Sequence, residues 1–387
     1  MPYIKRLIES EIRRAARHFP AVMLTGPRRA GKTTLLRKLF PKAMYVLLED
    51  PDVVSRIRTD ARSFLAELEP PAILDEVQNV PELQRYIRSR IDEQPRLKGR
   101  WFITGSQEAP LMKGITESMA GRAAILELLP LSSEESSKVT WFRGGFPEAL
   151  AAPSATDLWF RSYVQTYLER DVRLVSGIRD LALFRRFLAL AASRCGQLLN
   201  RSDLSSALGV SVPTIAQWIG ILEITQQLLL VPPFYENFGK RLIRSPKLYF
   251  TDAGLVCHLL GLESEKALER SPFSGPLFEN FVASEIVKQQ VNAGRRRELY
   301  YFRDQQGLEV DFLVPQGDKR VAMVEVKSSR SVTPSDAAPM HRLAQAMRNY
   351  RLSRLVVYRP DVNGPRFTML RESVKAVSLK QALAALQ

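Results

Sequence analysis

Gly26, Gly31, Lys32 and Thr33 stand in the order G-x-x-x-x-G-K-T within AVMLTGPRRAGKTT, residues 21–34. Two glycines at this spacing let the backbone turn so that successive N–H groups point at phosphate oxygens. The lysine then reaches the β- and γ-phosphates, and the threonine hydroxyl ligates Mg²⁺. The pattern predicts that Gly26, Pro27, Arg28, Arg29, Ala30, Gly31, Lys32, Thr33 and Thr34 hold ATP. Arg28 and Arg29 are more basic than such a loop requires and have three further uses open to them: DNA, a neighbouring subunit or solvent. Downstream, PPAILDE ends an apolar run in two acids, Asp75 and Glu76. Asp75 is placed to hold Mg²⁺ through water and Glu76 to polarise the attacking water. A third run, Arg100 to Thr104, ends in Thr104-Gly105-Ser106. Either hydroxyl suits a position beside the γ-phosphate, and the sequence does not choose between them.

A second constellation lies near the carboxyl end, in EVDFLV (309–314) and VEVK (324–327). Residues two apart on a strand share a face, so Glu325 and Lys327 project together and Asp311 meets them from a neighbouring strand. Two carboxylates suit Mg²⁺, which activates water, and the lysine neutralises charge in the transition state. Asp311 and Glu325 are the expected metal ligands, with Lys327 completing the catalytic set.

These groups need elements to hold them. Residues 3–18 have helical apolar spacing, a strand leads into the glycine loop and a helix follows it. Repeated strand–helix alternation to residue 128 predicts an α/β parallel sheet with helices on both faces, its ligands at the carboxyl ends of the strands. After Pro130 the polar SSEESS cluster and Gly144-Gly145-Phe146-Pro147 punctuate the chain, and 157–193 reads as helical. Residues 199–222 have helix-turn-helix spacing with the turn at Gly209, and the β-rich stretch to Phe250 suits a wing, together a winged helix. Its second helix, 211–222, carries no Lys or Arg, leaving Ser211, Thr214 and Gln217 for base edges. Lys240, Arg241, Arg244 and Lys247 sit in the wing instead, which favours phosphate contacts over sequence readout. From Ser271 a helix (276–290) and three strand-like runs predict a smaller α/β domain.

The runs GPRRAGKTTLL, ILDEVQ, FITGS and MAGRAAILELLPLS resemble AAA-type ATPases of a widespread prokaryotic group, whose relatives include origin-recognition-like and signalling ATPases. The resemblance implies that Arg122 is a sensor or finger on the γ-phosphate, in cis or across a subunit boundary of a homo-oligomer. Residues 276–370 resemble the PD-(D/E)-x-K core of restriction-endonuclease-like folds, without the leading proline, as commonly fused to this ATPase group. That likeness implies a helix acid, Glu279 or Glu285. The resulting division is 1–130 AAA-type ATPase core, 131–198 helical lid or connector, 199–270 winged helix and 271–387 restriction-endonuclease-like domain.

Bulk properties narrow the partners. A chain of 387 residues is too long for one ordinary domain. No eighteen-residue apolar run occurs, the basic amino end lacks the apolar core of a secretory signal, and two separated cysteines fit a reducing cytoplasm. The net charge of +15 points to a polyanion, DNA first. The expected activity is Mg²⁺-dependent ATP hydrolysis coupled to branched or distorted DNA, with cleavage open. The competing expectation is a nucleotide-dependent switch that binds a protein partner and carries a vestigial nuclease fold.

Overall fold

In the computed structural model, residues 3–105, 119–168, 180–234, 244–360, 368–371 and 373–387 are described. The amino-terminal third builds a five-stranded sheet from β1 (Ala21–Thr25), β2 (Met44–Leu47), β3 (Ala72–Asp75), β4 (Trp101–Thr104) and β5 (Ala123–Glu127). The strand order is β2-β3-β4-β1-β5 and every pairing is parallel. Alternation along β1 sends Ala21 and Met23 into one core and Val22 and Leu24 into another, so both faces are covered. Helices α1 (Glu9–His18) and α2 (Lys32–Leu39) pack on one face; α3 (Pro51–Thr59), α4 (Ala61–Glu67) and α5 (Leu83–Glu93) pack on the other. Asp50 and Asp60 cap α3 and α4 by accepting from backbone N–H groups of the first turns.

Past Leu128 the chain becomes helical. Arg201–Leu208 and Val212–Ile224 are joined at Gly209, which takes the left-handed conformation (φ 68°), and lie at 111° to each other. Asn200 and Ser211 cap the two helices. An antiparallel pair, β6 (Leu228–Val231) and β7 (Lys247–Phe250), follows. The long helix Ser274–Asn292 then leads into a mixed six-stranded sheet of β8 (Tyr300–Arg303), β9 (Glu309–Pro315), β10 (Arg320–Val326), β11 (Arg351–Val357), β12 (Thr368–Arg371) and β13 (Val374–Val377). Its order is β12-β13-β11-β10-β9-β8.

The three units expected beyond residue 130 share a core, and the other face of the C-terminal sheet has a second core of its own with Val310, Met323 and Met340. One continuous core includes Phe146 and Phe187 of the connector, Trp218 and Tyr249 of the middle unit, and Phe281, Phe312 and Leu383 of the last. The long helix explains this: it is buried nearly all round, from Leu277 to Asn292, because it lies between the connector, the hairpin and one face of the C-terminal sheet. Among the described residues no single helix is long and apolar enough to cross a membrane.

Candidate functional site

The glycine loop leaves the carboxyl end of β1 and enters α2. Gly26 has φ 144°, and a Cβ there would lie 2.1 Å from the carbonyl oxygen of Leu128, so the close approach of β5's exit admits only glycine. Gly31, at φ 97°, turns the backbone into the first turn of α2. Lys32 is buried and donates to the carbonyl oxygens of Gly26 and Pro27 at 3.0 and 2.9 Å, which lays its ammonium along the loop. Thr33 Oγ1 donates to Asp75, 2.9 Å from each carboxylate oxygen. Parallel pairing brings the tips of β1, β3 and β4 together, so loop, Asp75 and Thr104 meet although far apart in sequence.

Asp75 is the centre of this group, at 3% exposure. It accepts from Thr33, from Tyr45 Oη at 2.8 Å and from Thr104 Oγ1. Thr104 in turn accepts the backbone N–H of Glu76 at 3.1 Å. Glu76 occupies the left-handed region (φ 62°), a conformation that costs a non-glycine residue on the order of 1 kcal/mol. The Asp75 and Thr104 bonds hold it there, and Gln78 donates to its carboxylate. Burial, then the bond to Asp75, raises the Tyr45 phenol well above its ordinary range, so Tyr45 remains a donor. Beside the loop a cavity of about 150 Å³ is lined by Tyr3, Ile4, Gly31, Thr34, Leu35, Leu131 and Pro147 among others, walls suited to a flat nucleobase.

The C-terminal constellation also assembles. Asp311 Oδ2 accepts the N–H of Val326 at 2.8 Å, and Lys327 Nζ donates to Glu325 Oε1 at 2.8 Å. Glu279 of the long helix joins them, accepting from Tyr249 Oη and, at 3.0 Å, from Lys247 Nζ. Burial, then the nearby Asp311 charge, pushes Glu279 up to about 7 and Glu325 up to about 8. Burial also raises Asp311. The second oxygen of Glu325, a residue at 7% exposure, has no hydrogen-bond partner. An orphaned buried carboxylate oxygen next to Asp311 fits Mg²⁺, which takes one or two carboxylates and fills its shell with water.

Residues 18–137 match an AAA domain, 134–266 a domain of unknown function (DUF8612) and 274–380 another (DUF4143). Uncharacterized proteins of Mycobacterium tuberculosis (Rv2008c) and Mycobacterium bovis (Mb2031c) are each 33% identical over 386 residues, covering 98% of this chain and 84% of theirs. The chain belongs to this family of AAA-domain proteins. A further uncharacterized relative, from Methanocaldococcus jannaschii, is 22% identical and covers 78% of this chain and 74% of its own. Among solved structures, a Walker-type ATPase of Pyrococcus abyssi overlaps with a TM-score of 0.41 at 15% identity, covering 65% of this chain and 94% of that one. The RuvB Holliday junction branch migration motor of Thermotoga maritima overlaps with a TM-score of 0.32 at 16% identity, covering 58% and 89%. Overlaps this loose carry no argument.

The AAA domain gathers Gly26, Gly31, Lys32, Thr33, Asp75, Glu76 and Thr104 at one sheet edge; Ser106 lies outside the described residues. No sequence motif marks Tyr45 or the walls of the base-sized cavity: they come from strand pairing and from the chain ends of other elements. Arg122 is not brought to this edge. It precedes β5 at the amino end of the sheet, about 13 Å of strand or more from the loop, and its guanidinium holds Asp92 at 2.6 and 3.0 Å. This position does not suit a cis contact with the γ-phosphate. Arg29 pairs with Glu148 of the connector helix Pro147–Ala151 at 3.0 Å, and Tyr163 Oη donates to the Arg28 carbonyl. Of the wing residues, Lys240 and Arg241 lie outside the described residues and Arg244 is exposed. Lys247 is not a phosphate contact: at 3% exposure it points inward to Glu279, Glu309 and Asp311. Of the two candidates for a helix acid, Glu279 is the one that lies with the C-terminal carboxylates. Glu285, on another face of the same helix, accepts from Ser133 N and Oγ and pairs with buried Lys288 at 3.0 Å.

Proposed function

We propose that this AAA-domain protein is a Mg²⁺-dependent ATPase that acts on DNA through its backbone or its shape, on branched or distorted duplexes. The observation that carries the hydrolytic reading is the convergence of Thr33, Asp75 and Thr104 beside the Lys32 loop. Thr33 and Asp75 would hold Mg²⁺ with the triphosphate, and the metal would supply charge neutralisation between the β- and γ-oxygens. Lys32 would turn from the Gly26 and Pro27 carbonyls onto phosphate oxygens. Glu76, held by Thr104 through its N–H, would orient and deprotonate the attacking water.

The DNA part is supported by the net charge of +15 and by the Asp311–Glu325–Lys327 grouping beside exposed basic residues. The helix-turn-helix geometry at 111° suits a winged helix, with Ser211 already used as a cap and no basic residue on the second helix. Backbone contact is the mode such a surface permits. A gel assay with linear, forked and four-way DNA, with and without ATP and Mg²⁺, tests this reading. Binding that weakens steeply with salt and prefers a branched form supports it; absence of binding at low salt refutes it. One observation favours the second reading, a switch that binds a protein: Lys247 sits inside the C-terminal carboxylates.

A further inference from the structure

We infer that Lys247 is a built-in cation that occupies the C-terminal carboxylate cluster and holds off a divalent metal while the β6–β7 pair is seated. The inference rests on the proposed metal role of Asp311 and Glu325. Lys247 comes from β7, outside the sheet that carries the acids, and its ammonium lies 2.6 Å from Glu309, 3.0 Å from Glu279 and 3.8 Å from Asp311. The Tyr301 ring closes another side, with its centroid at 5.7 Å. Tyr249, two residues along and so on the same face of β7, donates to Glu279. The strand thus offers the helix acid both an ammonium and a phenol.

Glu279 and Glu309 lie close to the ammonium, and Asp311 is shared: its Oδ1 is 3.8 Å from Lys247 while its Oδ2 accepts the Val326 N–H. Glu325 makes no ion pair with Lys247 among the described contacts, and its Oε2 is the one buried carboxylate oxygen left without a partner among the described residues. Among the described residues no group of three or more His, Cys, Asp or Glu is arranged for a metal. A divalent cation drawn to Asp311 and Glu325 would lie within a few ångströms of the ammonium, in a site too dry to screen the repulsion. β7 is tied to the middle unit: the Leu199 N–H donates to the Pro246 carbonyl at 2.8 Å, and Leu198 bridges to Lys247. Metal access at the C-terminal sheet is therefore set by the position of the middle unit. Withdrawal of the hairpin removes one positive charge and frees Glu279, while Glu309 keeps Arg303 at 3.3 Å.

The test is Mn²⁺ binding, read by the electron paramagnetic resonance of free Mn²⁺, on the full chain without nucleotide. An Asp75→Asn background removes the metal ligand of the AAA domain. Lys247→Gln should bind one Mn²⁺ at least about tenfold more tightly than the Lys247 chain, about 1.4 kcal/mol. Lys247→Arg should stay weak, and adding Glu325→Gln should abolish the gain. Equal binding by the Lys247 and Gln chains, lost in both with Glu325→Gln, overturns the inference and leaves the metal site standing. No site sensitive to Glu325→Gln in any chain sinks the metal reading itself. Should Lys247→Gln fail to fold, Lys247→Met takes its place with the same outcomes.

Discussion

On the proposed hydrolytic mechanism, Thr104→Val separates positioning of Glu76 from nucleotide binding. Thr104 is fully buried; its hydroxyl donates to Asp75 and accepts the Glu76 N–H at 3.1 Å. Valine keeps the shape and deletes both bonds. A hydrogen bond to a charged group contributes about 1.5–3 kcal/mol, and an unsatisfied buried N–H costs about 1–3 kcal/mol. The left-handed backbone at Glu76 is then held by less, so its carboxylate is free to leave the line of attack. If about 2–3 kcal/mol of this loss falls on the transition state, kcat drops roughly 30- to 160-fold. The hydrogen bonds of Thr104 go to Asp75 and Glu76, and it does not line the base-sized cavity, so KM and nucleotide affinity should stay within about threefold. Steady-state phosphate release and titration with a fluorescent ATP analogue measure the two quantities. Tyr45→Phe serves as the control, because it removes a donor to Asp75 and leaves Glu76 held. It should weaken the metal requirement more than kcat. A folded Thr104→Val protein with kcat within twofold of the parent refutes the role given to Thr104.

Lys32→Ala should abolish ATP turnover, and retained phosphate release would remove the loop from the mechanism. Gly26→Ala should prevent nucleotide binding or folding, since its Cβ would meet the Leu128 carbonyl oxygen at 2.1 Å; normal affinity by calorimetry would contradict the packing. Glu285→Ala strips the partner from buried Lys288 and should destabilise the chain by about 3–5 kcal/mol in denaturant unfolding; a loss below 1 kcal/mol would show the pair to be solvated. Glu279 and Glu325 are raised to about 7 and 8, so the fold favours their protonated forms. Their contribution is full below the ordinary carboxylate range and is lost as pH rises through those values. Scanning calorimetry should show Tm falling between about pH 5 and 8, and Glu325→Gln should flatten that slope.

The AAA domain was legible because its chemistry is local. A glycine loop between a strand and a helix needs only neighbours in sequence, and acids at a strand tip need only the parallel-sheet rule. What the sequence could not supply was which end of a strand a residue occupies relative to a distant motif. Arg122 stands one residue before β5, and the register that pairs Ala123 with Ala21 puts it at the far edge. Tyr45 shows the converse. Nothing in its surroundings marks it, yet the pairing of β2 with β3 carries its phenol to Asp75. Glu279 and Glu285 were both open as the helix acid. Six residues advance a helix by about 600°, which turns them to different faces, and only tertiary packing tells which face meets the sheet.

Lys247 marks the deeper limit. In a one-dimensional reading, a lysine among Lys240, Arg241 and Arg244 counts as part of a basic wing, because clustered charges are usually solvated. Burial of this one is stabilised by carboxylates contributed from positions 279, 309 and 311, none of them near it in sequence. The same fact changes how the net charge should be read. Part of the positive excess at the hairpin is spent inside the protein, so phosphate contact by the middle unit must come from other residues. It also changes how the C-terminal motif should be read. A pattern of Asp311, Glu325 and Lys327 specifies which groups can converge, but the state of the site depends on a strand that the motif does not contain. Nucleotide chemistry at one end and carboxylate chemistry at the other are then joined by a chain of contacts. Leu128 packs against Gly26, Leu131 accepts from Lys288, and Ser133 holds Glu285 on the helix that carries Glu279.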